Sequence, residues 1–285
     1  MKYIDLHTHS NYSDGTCSPA ELVTRAVQKG LSAFALTDHD TVAGISDAIN
    51  AVEEQHAPLK FIPGTELSVA YKKRDIHITG LFINHDNAAL KGAAALIIKR
   101  RDDRNLEMAE NLRKAGIPIT IEALKENNPD TVVTRAHFAR FLVDNKITAT
   151  PAEAFKKYLN TDTPYYVPRK YIEPEEGLEL IRNAGGVPVL AHPLHYKLKE
   201  PELEKLVKRL AFAGLIGIEV FYSNHSVSDE AYVKKLARRY NLLPSGGSDF
   251  HGDNKPAIDI GTGRGNLAIP YKYLEALAST CNYPL

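Results

Sequence analysis

Hydrophobic and polar positions change period repeatedly along the 285 residues of the chain. Residues 2–6 alternate, with Tyr3, Ile4 and Leu6 apolar, and predict a short buried strand. Ser18-Pro19-Ala20-Glu21 carries a cap, a proline at the first helical position and an acid three residues on, so a helix is predicted to about Lys29, stopping at Gly30. A strand follows over 31–36, a helix over 45–55, a strand over 59–63, a hairpin turn over 71–75 and a return strand over 76–83. The alternation then breaks: 88–116 reads as one long helix, with further helical patterns over 121–126, 134–145 and 151–159. A proline-bounded extended stretch, 164–168, leads back to alternation. Helices are predicted over 175–183, 201–213 and 228–240, the last capped by Ser228, with strands over 187–191, 217–221 and 242–245.

Strands alternating with helices predict a parallel sheet, and seven or so such units predict an α/β barrel. The barrel is expected to comprise residues 1–87 and 166–285, with 88–165 a helical insertion over the active site. No internal repeat and no low-complexity segment interrupts this plan.

Polar clusters fall where strands end. His7 and His9 are two apart on an extended chain, so both imidazoles point to one side, as a metal site needs. Asp14, Asp38, His39, Glu66, His192, Asp249 and His251 also follow strand ends, while His77 sits near the start of a return strand. In a barrel such ends share one rim, where imidazoles and carboxylates together favour divalent Zn, Mn or Fe.

Composition narrows the partners. The 35 basic and 35 acidic residues cancel, which argues against a large electrostatic footprint on nucleic acid. Two cysteines suggest no disulfide framework, no apolar run reaches membrane length, and no apolar signal segment precedes the first strand, so a cytoplasmic location without membrane contact is expected. No nucleophile elbow, Walker loop or dinucleotide fingerprint is present, and no protein partner is implied. The charged run 99–104 reads as a solvated helix face, and the glycine-rich 261–265 as a flexible loop.

The ordered motifs D-L-H-T-H-S at 5–10, T-D-H-D at 37–40, G-T-E-L-S at 64–68, H-I-T-G at 77–80, A-H-P at 191–193 and G-S-D-F-H-G at 247–252 resemble those of the PHP (polymerase and histidinol phosphatase) family. The resemblance implies a distorted (β/α)7 barrel with a helical insertion. It also implies up to three divalent ions, manganese foremost and iron or zinc as alternatives, and phosphoester hydrolysis. Carried over, His7, His9, Glu66 and Asp249 would hold one ion, Asp14, His39 and His192 a second, and His77 and His251 a third that shares Glu66. His192, Asp249 and Glu66 would be catalytic, with a metal-bound hydroxide as nucleophile, since no covalent-nucleophile motif stands out.

T-R-A-H-F-A-R at 134–140 and Y-Y-V-P at 165–168 resemble the subgroup acting on nucleotide 3′,5′-bisphosphates, whose members convert pAp to AMP and also trim RNA 5′ ends. Arg135, with His137 helping near the same helix start, is then expected to hold a non-reacting 5′-phosphate of a nucleotide or short RNA. The alternatives are a histidinol-phosphate-type monoesterase and a non-enzymatic metal- or RNA-binding module. Tyr222, Ser223 and His225 either line the site or form a plain loop, Asp38 and Asp40 either orient His39 or cap its turn, and His56, His85 and His195 read as ordinary loop residues.

Overall fold

The computed structural model describes residues 2–72, 74–125 and 128–285. Strand β1 (Tyr3–Thr8) is followed by α1 (Pro19–Gln28), β2 (Ala33–Leu36), α2 (Ile45–Glu54), β3 (Lys60–Tyr71) and β4 (Arg74–Leu81). Next come α3 (Ala88–Lys114), α4 (Ile121–Leu124), α5 (Arg135–Asp144) and α6 (Pro151–Ala154), which widens into a π-turn over Phe155–Leu159. The chain resumes with α7 (Pro174–Asn183), β5 (Val187–Leu190), α8 (Glu200–Phe212), β6 (Gly217–Tyr222), α9 (Val227–Arg239), β7 (Leu243–Gly247), β8 (Ile269–Pro270) and α10 (Lys272–Ser279). The turn predicted over 71–75 and the helix predicted over 121–126 include Lys73 and Glu126, which lie outside the described residues.

Local signals act as expected at α1, where the Ser18 hydroxyl accepts from Glu21 N and the Glu21 carboxylate accepts from Ser18 N. The cap of α9 is Ser226, not Ser228. Both serines can cap, but only Ser226 has an acid three residues on, Asp229, to complete the reciprocal pair.

The strands pair in the order β7-β6-β5-β4-β3-β2-β1-β8. β1, β2 and β3 run parallel, as do β5, β6 and β7, but β4 is antiparallel to both neighbours, so the all-parallel expectation fails there. The cause is the tight β3–β4 turn, which can join only antiparallel strands. The two-residue β8, antiparallel to β1, carries no sequence signal.

The sheet curls into a distorted barrel that closes just beyond β7. Asp249 N donates to His7 O at 2.8 Å and His9 N donates to Phe250 O at 3.0 Å. Glycine makes this approach possible: a Cβ on Gly247 would lie 2.3 Å from the Cβ of His7.

Alternate strand residues serve two cores. Phe34, Leu36, Ile218 and Val220 pack with Leu22, Ile45, Leu206 and Leu236 of the surrounding helices. Ala33, Ala35, Val187 and Val189 pack with Leu274 and Leu277 of α10. A third cluster, including Met108, Leu112, Phe138, Leu142 and Leu159, belongs to the helical block. Helix α3 bridges two of them, since Leu90 and Ile97 of its first half join the main core.

Two expectations are corrected here. The charged run of α3 is solvated only in part: Lys99 and Asp103 are exposed, but Arg101 and Arg104 are buried. The stretch 261–265 is a packed turn in which Gly261 N donates to Asp5 Oδ2 at 2.7 Å and Gly263 N to Asp259 O at 2.8 Å.

Candidate metal centre and adjoining cleft

β1 delivers the first two imidazoles. Its pairing with β2 shifts register between Asp5 and Thr8, an irregularity of the kind that re-aims side chains. The Nε2 atoms of His7 and His9 end 3.1 Å apart. Asp5 is no part of this pair: Oδ1 accepts from Ser248 N and His7 N, and Oδ2 from Gly261 N, so it fastens three segments together. Asp38 and Asp40 likewise leave the His39 ring alone. Asp38 accepts from Ser10 N, Ser10 Oγ and Ser13 Oγ, whereas Asp40 accepts from Ser68 N and from Arg101 and Arg169.

The structure brings all nine predicted donors together. Three groups have donor atoms within 4.8 Å of one another: His9, Asp14, His39 and His251; His7, His9 and Glu66; and His39, Glu66 and His77. Asp249 Oδ1 is 3.4 Å from both His9 Nε2 and His251 Nδ1, and His192 Nε2 is 2.9 Å from Glu66 Oε1. This differs from the partition carried over from the family. Asp14 groups with His251, 3.1 Å away, and not with His192, which stands beside Glu66.

These residues fit divalent ions. Asp14 Oδ1, His39 Nδ1 and Glu66 Oε2 are buried without a hydrogen-bond partner, although His39 Nδ1 lies only 2.9 Å from Glu66 Oε2. Lone pairs that converge without sharing a proton are what a cation satisfies, and the nitrogen and carboxylate set suits Mn, Fe or Zn. The charges agree. Burial opposes ionisation of Glu66, yet His77, His7 and His39 hold its carboxyl well below the usual range. Burial likewise opposes Asp14, which His39 and His251 keep low, and Asp249, which Lys255 and His251 keep low. Burial, with His251 and His39, keeps His9 neutral and its lone pair available. Two rings run the other way: burial works against charge on His77 and His7, but Glu66 with Asp75 lifts His77 to about 10 and Glu66 with Glu219 raises His7, so a bound cation would have to displace a proton from each.

Three of the donor-bearing loops are strained. Asp40, His192 and Asp249 have φ of 56°, 25° and 58°, the left-handed region. Asp249 Oδ2, turned away from the histidines, accepts from Tyr222 at 3.0 Å and Lys255 at 2.6 Å. Of Tyr222, Ser223 and His225 at and beyond the end of β6, only Tyr222 lines the cleft; Ser223 bonds Ser248 O and His225 bonds Val220 O. His195 is no plain loop residue, since it lines the cleft with its ring 5.5 Å from that of His192.

The cleft holds about 1700 Å³ between the donor cluster and the helical block. From the block, Thr134 Oγ1 donates to Asp14 Oδ2 at 2.9 Å and Val132 N to Tyr12 O at 2.9 Å. Arg101, Arg135, His137 and Arg140 also line the cleft. Arg135 lies over the rings of Phe155 and Tyr166, 3.8 Å from Asp75. His137 is buried at the α5 cap, where its Nδ1 accepts from Thr134 N; burial lowers its pKa to about 4, so a neutral Nε2–H remains. Arg101 and Arg169 share Asp40, and Arg169 Nη2 makes no hydrogen bond. Arg104 feels burial and then Arg101, Arg169 and Arg135, which pull it down to about 9. Three arginines here, Arg101, Arg135 and Arg169, thus share two carboxylates, Asp40 and Asp75, which leaves positive charge in excess among them. Arg169, Glu219 and Lys255 were not singled out from the sequence, since isolated charged residues within helices, strands and loops carry no spacing signal, and Arg101 was read only as part of the solvated run 99–104.

Comparison with known proteins agrees with this geometry. The PHP domain model matches residues 5–220. A 5′-3′ exoribonuclease Rnm of Salmonella typhimurium is 38% identical over 257 residues, covering 90% of this chain and 87% of the relative. A 3′,5′-nucleoside bisphosphate phosphatase of Chromobacterium violaceum is 35% identical over 263 residues, 92% of this chain and 91% of the relative. A solved structure from Bifidobacterium adolescentis, assigned as a metal-dependent phosphoesterase, superposes with a TM-score of 0.85 at 28% identity, over 98% of this chain and 96% of that one. The chain belongs to the PHP domain family and is a metal-dependent phosphoester hydrolase.

Proposed function

We propose that the protein removes the 3′-phosphate of nucleoside 3′,5′-bisphosphates, converting pAp to AMP, and that it also trims the 5′ ends of short RNA bearing a 5′-phosphate, hydrolysing the ester on the 3′ side of the terminal nucleotide. The carrying observation is one cleft lined both by metal-type donors, Asp14, His39, His77, His192, Asp249 and His251, and by Arg101 and Arg135. The names of the Chromobacterium and Salmonella relatives support the same substrate class.

His7, His9, Asp14, His39, Glu66, His77, His192, Asp249 and His251 would hold up to three divalent ions, manganese first. When bound, such ions lower the pKa of water and neutralise charge developing on the phosphoryl oxygens. The chain's own residues do the rest. Residues 88–165 cover the cleft and exclude water from one side. Arg135 grips the non-reacting 5′-phosphate, His137 Nε2–H donates to it, and Arg101 adds charge from behind. Binding energy from this remote group orients the 3′-phosphate for cleavage. Among the described residues no helix is long and apolar enough to cross a membrane. Both cysteines are free, and we place the activity in the cytoplasm.

Arg135→Ala tests the reading. It should cost about 2–4 kcal/mol in kcat/KM for pAp, as truncating one partner of a charge-assisted pair does, and far less for 3′-AMP. Equal losses on both substrates would return the protein to a general phosphomonoesterase.

A further inference from the structure

Strand β6 supplies none of the nine donors, yet it sends one carboxylate in among them. Glu219 is buried at 3% exposure. Its Oε1 lies 3.1 Å from His7 Nδ1, and its Oε2 accepts from the backbone N of His192 at 2.6 Å. A carboxylate offers only acceptors, so His7 must carry a proton on Nδ1. That leaves the Nε2 lone pair facing the cluster, 3.4 Å from Glu66 Oε1 and 3.7 Å from Asp249 Oδ1. The second contact acts on a backbone under strain, since His192 sits at φ 25° and ψ 60°. His192 in turn meets the same Glu66 oxygen through Nε2 at 2.9 Å. One side chain thus fixes the ring of one donor and the main chain of another, on either side of the shared Glu66.

We propose that Glu219 is the positioning residue of the metal centre, setting the tautomer of His7 and the backbone of His192 together. The inference rests on the reading of His7 and His192 as ligands. It requires two acceptors at one position, which only a carboxylate provides. An amide of the same size offers one acceptor and one donor. In Glu219→Gln the NH2 group either faces His7 Nδ1, moving the ring proton to Nε2 and blocking the lone pair, or faces the His192 N–H, donor against donor.

The experiment compares Mn²⁺ binding by equilibrium dialysis in wild type, Glu219→Gln and Glu219→Asp, at temperatures where each is folded. Glu219→Gln should bind Mn²⁺ roughly 10- to 100-fold more weakly, the range typical of partners that orient metal-binding histidines. In the Zn²⁺-loaded wild type, ¹⁵N-histidine spectra should show His7 protonated at Nδ1; in Glu219→Gln that signal disappears where the NH2 group faces His7 and survives where it faces the His192 N–H, and metal affinity falls in both cases. Glu219→Asp keeps two acceptors, so it should retain the Nδ1 proton with affinity between the other two. Equal Mn²⁺ affinity in folded wild type and Glu219→Gln would overturn the proposal. Should Glu219→Gln not fold, loss of the Nδ1 proton in Glu219→Asp would overturn it instead. A wild type that binds no Mn²⁺ would fail the ligand assignment, a separate outcome.

Discussion

Asp40, His192 and Asp249 all sit at positive φ, a conformation that costs roughly 1–3 kcal/mol for an ordinary residue. Neighbours enforce it: Asp40 N donates to Glu66 O, His192 N to Glu219, and Asp249 N to His7 O. Aspartate and asparagine enter this region more readily than most residues. Compared metal-free, Asp249→Asn should therefore keep the thermal midpoint near that of wild type, while metal content and phosphoesterase activity of the metal-supplied protein fall by orders of magnitude. Asp249→Val should lose both, because a β-branched residue cannot hold the turn. Calorimetry and elemental analysis on the two variants separate strain from chemistry, and intact activity in Asp249→Asn would remove Asp249 from the site. At this scale the sequence was informative where spacing constrains direction, as with His7 and His9. It was silent for Glu219, because the contact that matters joins residues 212 positions apart.

Helix α3 ties two parts of the molecule together. Its first half packs in the main core, its second half carries Met108 and Leu112 of the helical block, and between them Arg101 reaches Asp40. The two side chains are only 7% and 0% exposed, so this pair is shielded from water. Arg101→Met should destabilise the protein by about 3 kcal/mol, the lower end for breaking a buried pair, because Arg169 still serves Asp40. Chemical denaturation measures it, and an unchanged midpoint would mean that Arg169 alone satisfies Asp40. The alternation of strands and helices was legible element by element, since period-2 and period-3.6 patterns report burial directly. The burial of Arg101 and Arg104 was not, because a charged run looks the same whether it meets water or buried aspartates. The antiparallel β4 was half visible, as a hairpin turn without a crossover helix.

For the whole molecule, the formal net charge is zero, so any attraction for phosphate is local, built from the arginines of the cleft and the ions. Ions that bind the folded state stabilise it by mass action, by about 2.7 kcal/mol at a hundredfold excess over Kd. Chelation should lower the thermal midpoint by on the order of 5 °C, and Mn²⁺ should restore it. A midpoint indifferent to both would count against bound metal of any number.

The closure of the barrel has one more consequence. The strand order ends on β7 and β8. The first is sealed against β1 by the Asp249 and His9 main-chain bonds, and the second is two residues long and ends in proline. Among the described residues the two ends of the sheet therefore present no extended ladder of free amides on which a foreign strand could grow. Self-association, or capture of an unfolded neighbour, has to proceed through helices and loops, a surface far less prone to templating aggregates.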